Sequence, residues 1–247
     1  MPINEEAFDP AHTRHTFRLG TLDYLAPPLI AAVVQYMRNT APDAQLVLEP
    51  LGPDYDLEAA LAEGELDLVI GNWARPPEHL PNALLFEDEV VCLVDRAHRC
   101  ASKMALADYL QGSHVVPMLY NMPQGGVIDM ALEERHMSRH STVTVPYFSM
   151  GPQLLPGTDL IFTTSRHFAE HYAAILPLAV VKPPVDFAPM RFCQLWHPRT
   201  QHSAPHLWLR SLLSAVVRTA HVTQHTRTAS MQLRPTEMRR RIGDPRD

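Results

Sequence analysis

Residues 8–24, FDPAHTRHTFRLGTLDY, hold the reading on which the fold turns. A polar lead-in ends before Thr16, residues 16–20 read as a short buried strand, and Thr21, Leu22, Asp23 and Tyr24 form the turn behind it. Residues 27–40 follow, with apolar side chains at Leu29, Ile30, Val33, Val34 and Met37. That spacing is helical, and proline sits in the first turn, where its missing N–H costs nothing.

Outward from this unit the alternation repeats. Residues 45–49 alternate like a strand, Leu57, Ala60 and Leu61 mark one helix face, and residues 66–70 are a nearly continuous apolar run. Strand, helix, strand, helix, strand predicts a parallel sheet. Residues 84–87 and 90–94 read as strands separated by a short acidic turn, residues 105–110 as a helical turn, and 115–120 as a further strand. The polar, glycine-containing stretch 120–126 is the expected crossover, after which 127–136 resumes helical spacing. A second round follows: strand 142–148, short helix 149–155, strand 160–164, helix 166–172, strand 178–181 and return strand 191–196. Leu209, Leu212, Leu213, Val216 and Val217 form the stripe of a closing helix.

The expected fold class is therefore α/β, two Rossmann-like lobes with two crossover strands. The expected division is a linker remnant at 1–15, lobe I at 16–119 plus 197–220, and lobe II with the crossovers at 120–196. From His221 to 247 the chain carries six arginines against three acids with little periodicity, and reads as an unstructured tail.

With 247 residues, 46% of them hydrophobic, the chain is long enough to bury a sizeable core. A formal charge of −6 argues against non-specific nucleic-acid binding, which needs clustered Lys and Arg. The three cysteines, Cys92, Cys100 and Cys193, make neither a CxxC clasp nor an even disulfide set. The start, MPINEEAFDP, lacks the features of a signal peptide, and no apolar run approaches ~18 residues. The expectation is a soluble cytoplasmic protein with no membrane partner.

Open α/β sheets bind ligands at the carboxyl ends of their strands, here a cleft between lobes. The loops facing it supply Thr21, Leu22, Asp23 and Tyr24, then Asn72 and Trp73, Asn121 and Gln124, Tyr147 and Phe148, and Thr163. The first loop, with the Thr21 hydroxyl and the start of the following helix, suits an anionic group. Asp23 would repel such a group if it faced the cleft, so it is expected to cap the helix or bind neighbouring amides. Tyr147, Phe148, Trp73 and Tyr120 offer aromatic walls. The plainer alternatives are that the first loop only starts a helix and that the aromatics are core.

His167, Phe168, Ala169, Glu170 and His171 spell HxxEH, the pattern of inverted zinc peptidases. It needs a third ligand from a downstream helix, and residues 204–220 contain no Glu. The same i, i+4 spacing recurs at His136 with His140 and at His221 with His225, as 14 histidines would produce by chance. No metal, no cofactor and no catalytic residue is expected. Cys92 lies among apolar strand neighbours, and there is no GxSxG, GxGxxG or GxxxxGKS.

FDPAHTRHTFRLG, EAALAEGELDLVIG at 58–71, VVPMLYN, TVPYFSMGPQLLPGTDLIFTTSRHFAE and LWHPR followed by HLWLRSLL resemble, in that order, a LysR-type effector domain. The likeness covers roughly residues 8–220 and is greatest to the subgroup that senses aromatic acids. It implies the type II periplasmic-binding-protein fold and a small organic acid as effector. It further implies a homo-oligomer, dimer or tetramer, and DNA contact only through a helix-turn-helix domain that this chain is not expected to contain. The ligand carboxylate would meet residues 21–24, with Asn121, Gln124, Tyr147 and Phe148 completing the pocket. The family's dimer face would be 27–40 with 45–49, against a neighbour's second lobe. A solute-binding protein of the same fold and a zinc hydrolase are the alternatives.

Overall fold

The computed structural model describes residues 8–21, 23–51, 55–73, 76–118 and 126–232. They form two five-stranded sheets of the same plan. The first builds from β1 (Thr16–Thr21), α1 (Pro27–Thr40), β2 (Gln45–Pro50), α2 (Leu57–Glu63), β3 (Leu68–Asn72) and β4 (Asn82–Asp88). The second takes β5 (Val90–Asp95), α3 (Leu106–Gln111), β6 (Ser113–Pro117), α4 (Val127–Glu133), β7 (His140–Val145), α5 (Met150–Gln153), β8 (Leu160–Ser165), α6 (Arg166–Ala173) and β9 (Leu178–Val181). The chain then returns as β10 (Met190–Leu195) and α7 (Ala204–Gln232).

Local physics accounts for the first unit. In β1, Phe17 and Leu19 are fully buried while Arg18 between them faces out, and in α1 the inward face is Leu29, Val33 and Met37. α2 starts where Asp56 accepts from Glu58 N–H and Ala59 N–H, and stops at Gly64, whose φ of +84° is the left-handed conformation that glycine adopts freely.

The first sheet runs β2-β1-β3-β10-β4, with β1 parallel to β2 and β3, and β10 antiparallel to β3 and β4. The second runs β7-β6-β8-β5-β9, with β6 parallel to β7 and β8, and β5 antiparallel to β8 and β9. Each lobe thus receives one strand from a crossing, β5 in the second and β10 in the first. This is the two-lobe, two-crossover α/β fold expected from the sequence.

The crossings differ from the expected ones. The chain leaves the first sheet after Asp88 and enters the second at Val90, with Glu89 alone between them, and returns through residues 182–189. Residues 90–118 therefore belong to the second lobe and 190–195 to the first, which corrects the boundaries 16–119 and 120–196. The two runs read as strands separated by a short acidic turn are β4 and β5, and they lie in different sheets. Of the expected crossover, residues 120–125 lie outside the described residues. The expected tail is corrected as well, because α7 continues to Gln232. No glycine or proline interrupts residues 221–232, so a helix anchored by its buried stripe propagates onward. Residues 233–247 lie outside the described residues.

The first crossing is braced from α6. Asp88 accepts from His167 N–H (2.8 Å) and from the His167 ring at Nδ1 (2.7 Å), and Glu89 accepts from Arg166 through its backbone carbonyl (2.8 Å) and its carboxylate. At the second crossing, Arg135 donates to the Asp186 carbonyl at 3.0 Å. Leu209, Leu212, Leu213 and Val217 of α7 are buried, and the largest apolar cluster runs from this stripe through α1 and on to Cys92, Tyr109 and Ile128 in the second lobe.

Candidate functional site

The cavity between the lobes takes its walls from both. Tyr24 and Asn72 come from the carboxyl ends of β1 and β3, and Met190 and Phe192 from β10. Val116 and Pro117 of β6, Val127 and Ile128 of α4, Phe148, and Thr163 to Ser165 of β8 come from the second lobe. The space amounts to about 510 Å³ with its open mouth included.

Tyr24 is held on three sides. Its hydroxyl accepts from Asn72 N–H at 2.8 Å, and its ring meets Phe148 and Phe192 edge-on at 5.2 and 5.7 Å between centroids. Burial raises its pKa, so the phenol stays neutral. Thr163 Oγ1 meets the Tyr109 hydroxyl at 3.1 Å and the Cys92 thiol at 3.7 Å. Burial pushes that thiol up to about 12, leaving an inert, protonated sulfur, as its strand position implied.

Asp23 joins the lobes at the cavity's mouth. Its carboxylate accepts from Phe148 N–H (2.9 Å), Ser149 N–H (2.9 Å) and the Ser149 hydroxyl (2.7 Å). Of the two roles expected for Asp23, capping the helix or binding amides, it takes the second, with amides of the opposite lobe, while α1 starts at Pro27 behind an N-cap, Ala26, that has no side-chain cap bond. The second lobe's amides lie within reach and are more exposed to an incoming carboxylate than α1's first turn, which two prolines have stripped of N–H donors.

Of the residues proposed from sequence, Tyr24, Asn72, Phe148 and Thr163 line the cavity together, and Asp23 stands at its rim. Thr21 is not among its lining residues. Trp73 is not among the residues lining this cavity; its indole lies over Gly71, where an added Cβ would come within 2.3 Å of the ring, and it lines an adjacent cavity with Val127, Ile128 and Met190. Tyr147 is 59% exposed and makes no wall. Leu22, Asn121 and Gln124 lie outside the described residues.

Sequence reasoning missed Arg139 and Asp129. Arg139, just ahead of β7, donates through Nε and Nη2 to the two carboxylate oxygens of Asp129 in the first turn of α4, at 2.7 and 2.9 Å. Its side chain is only 5% exposed. Burial works against its charge, but the bonds to Asp129 outweigh this and hold its pKa above the usual value. Both residues line the cavity, and Arg139 Nη1 is buried with no hydrogen-bond partner. Asp129 alone reads as a first-turn acid and Arg139 as a surface charge; their pairing is visible only in three dimensions.

The HxxEH stretch has structural duties. The His167 ring is fully buried against Phe86 and Phe192 and is bonded to Asp88, and Glu170 pairs with Arg166 at 3.3 Å. Among the described residues, no helix is long and apolar enough to cross a membrane.

Comparison with known proteins agrees with this architecture. The LysR substrate binding domain family matches residues 10–218. Nodulation protein D 1 of Rhizobium tropici is 30% identical over 213 residues, covering 85% of this chain and 68% of that protein. The transcriptional regulator SyrM 1 of Sinorhizobium fredii is 26% identical, covering 92% of this chain and 67% of its own length. Among solved structures, a Pseudomonas aeruginosa transcriptional regulator superposes with a TM-score of 0.76 at 28% identity, covering 85% of this chain and 70% of that one. The regulatory domain of MexT, a transcriptional activator from the same organism, gives a TM-score of 0.71 at 22% identity, covering 83% and 98%. SyrM 1, the Pseudomonas aeruginosa protein and MexT are each named as regulators of transcription. With the matched segment spanning both lobes and the closing helix, this protein belongs to the LysR family and carries its substrate-binding domain.

Proposed function

We propose that this domain senses a small aromatic effector bound between its lobes, and passes occupancy on as a change in their relative angle. The observation that carries the reading is the cavity itself. It is walled by aromatic and aliphatic side chains of both lobes, so anything filling it contacts both sides of the cleft. A ligand shifts such an equilibrium only by its differential affinity for the open and closed arrangements, and a two-sided cavity supplies that difference. Aromatic acids of the salicylate and benzoate type are one class within this reading.

The signal would pass through a homo-oligomer to DNA bound by a helix-turn-helix domain, in the cytoplasm. Val34 and Tyr36 of α1 and Leu48 of β2 are large apolar side chains left 40 to 45% exposed on the expected dimer face. Ile175, 64% exposed, and Leu154 lie on the second lobe, the expected opposing surface. Exposed apolar side chains grouped in this way favour a partner protein.

The test is a thermal-shift and fluorescence titration of the domain with a panel of small aromatic compounds. Binding raises the melting temperature by mass action, and Phe148→Ala is expected to diminish the shift for every active compound. A panel that produces no shift, or shifts indifferent to Phe148, would remove the cleft as the effector site.

A further inference from the structure

We propose that His15, Asp67 and His206 bind one divalent transition-metal ion, zinc by the chemistry of the donors, at the end of the first lobe away from the cleft. The proposal is independent of what the cleft itself takes.

The three residues come from different elements. His15 immediately precedes β1, Asp67 immediately precedes β3, and His206 stands in the first turn of α7. Because β1 and β3 are parallel, their starts share one edge of the sheet, opposite the edge that leads to Tyr24 and Asn72. One ring nitrogen of each histidine and a carboxylate oxygen of Asp67 all lie within 4.8 Å of one another. His206 Nε2 stands 3.4 Å from Asp67 Oδ1. That is longer than a charge-assisted hydrogen bond of about 2.7–2.9 Å. It matches the separation of about 3.3–3.4 Å between two ligands held tetrahedrally at about 2.0–2.1 Å from zinc. His15 Nε2 is buried without a hydrogen-bond partner. A cluster maintained by its own hydrogen bonds would leave no buried ring nitrogen idle, whereas a metal ion takes a lone pair from each ligand.

The surroundings hold the ligands in place. Asp67 Oδ2 accepts from Arg18 N–H at 2.7 Å, which fixes the carboxylate and leaves Oδ1 for the ion. The His15 carbonyl accepts from Gln45 N–H at 3.0 Å, and the His15 N–H donates to Thr13 Oγ1 at 3.2 Å. Neighbouring cations are engaged elsewhere, Arg18 by Glu49 at 3.0 Å and Arg210 by the carbonyls of Thr200 and Gln201. The side chains of His206 and Asp67 are 11 and 12% exposed, so the site lies just under the surface, where water can fill a fourth position. Two imidazoles with one carboxylate suit zinc and lack the oxygen ligands that calcium or magnesium requires. An ion there would staple the lead-in ahead of β1 to the first sheet and to α7.

The chain is stripped with EDTA, exchanged into chelator-free buffer at pH 7.5 and titrated with zinc by calorimetry and thermal shift. One zinc per chain is expected at this site, raising the melting temperature by mass action. His15→Gln, His206→Gln and Asp67→Asn are each expected to weaken it by at least about tenfold, the last while keeping an oxygen for the Arg18 N–H. Each thermal shift is read against the same variant's metal-free melting temperature. A His221→Gln, His225→Gln variant, which removes the i, i+4 pair farther along the sequence, is expected to retain the site. Cobalt(II) in place of zinc is expected to quench Trp208, whose ring lies 5.4 Å from Phe17, itself 4.6 Å from the His15 ring. Trp208→Phe is expected to keep zinc binding and lose most of the quenching, which locates the ion even if a ligand variant fails to fold. Absence of zinc binding, binding indifferent to the His15 and His206 variants, binding abolished in the His221, His225 variant, or quenching that survives in Trp208→Phe overturns the proposal.

Discussion

Asp23 and Ser149, 126 residues apart in the chain, are joined by two hydrogen bonds across the mouth of the cleft, one from the Ser149 N–H and one from its hydroxyl. With Phe148 N–H, Asp23 holds three donors of the opposite lobe on a single exposed carboxylate. Asp23→Ala is expected to loosen this closure, lowering stability by about 1 kcal/mol because solvent competes for exposed partners. The same variant is expected to show a larger radius of gyration in small-angle scattering. Unchanged scattering and an unchanged urea midpoint would show that the bridge does not hold the lobes.

The Arg139–Asp129 pair makes a separate claim on stability. Arg139→Met leaves Asp129, 36% exposed, facing an apolar wall without its partner. The expected cost is about 2–3 kcal/mol, toward the lower side of buried-pair losses because Asp129 keeps some solvent. Adding Asp129→Leu is expected to restore most of that loss. Urea unfolding of the single and double variants checks both steps, and equal losses in the two would deny the coupling.

His114 gives the domain a sensitivity to acid. Its ring is fully buried, its Nε2–H donates to the Tyr109 carbonyl at 2.6 Å, and its Nδ1 is buried without a partner. A second proton on Nδ1 would therefore have no acceptor, and burial pushes the pKa down to about 4. The folded state prefers the neutral ring, so this contribution to stability is complete above about pH 6.5 and is lost as the pH falls toward 4. The shift corresponds to about 3 kcal/mol. His114→Gln, which keeps a donor for the carbonyl and does not titrate, is expected to flatten the fall in urea midpoint between pH 7 and pH 4.5. A variant profile parallel to the unmodified one would exclude His114 as the source.

Gly71 and Trp73 form a close pair at the end of β3. A methyl group on Gly71 would come within 2.3 Å of the indole, a rigid ring with little room to yield. Gly71→Ala is expected to cost about 2 kcal/mol through overpacking. Displacement of the ring toward solvent is expected to shift tryptophan emission to longer wavelength. A fully stable variant with unchanged emission would mean that the ring swings aside freely.

On the outer face, Tyr36 and Leu48 test the proposed assembly. Leu48 is 43% exposed on β2, which is an edge strand, beside α1. Tyr36→Asp with Leu48→Glu is expected to shift the domain toward monomer in light scattering after size exclusion, while its melting temperature measured as a monomer changes by only a few degrees. An oligomer indifferent to both substitutions would place the interface elsewhere.

The elements were legible because their signals are local. Leu29, Val33 and Met37 repeat within one helix, and Phe17 and Leu19 alternate within one strand, so spacing alone located α1 and β1. The lobe boundaries were not, because the chain changes sheets across Glu89 without a glycine or proline, within an acidic stretch, Glu87 to Glu89, that reads as an ordinary turn. The candidate site was half legible for a related reason. Strand order aims Tyr24, Asn72 and Thr163 at the cleft, but sequence does not say which way an aromatic at a strand end points, so Trp73 and Tyr147 were included beside Phe148. Partners distant in sequence, Asp23 with Ser149 and Arg139 with Asp129, leave no periodic trace at all.

The single-residue passage at Glu89 carries a mechanical consequence. A connection that short, clamped by Arg166 and His167 and paralleled by a second strap at 182–189 that Arg135 grips, leaves the lobes almost no freedom to slide or twist apart. One rotation about the line through both straps remains. A device with a single degree of freedom turns the thickness of whatever it grips into an angle, as a calliper does, so ligands that share every polar contact but differ in girth would leave the lobes at different settings.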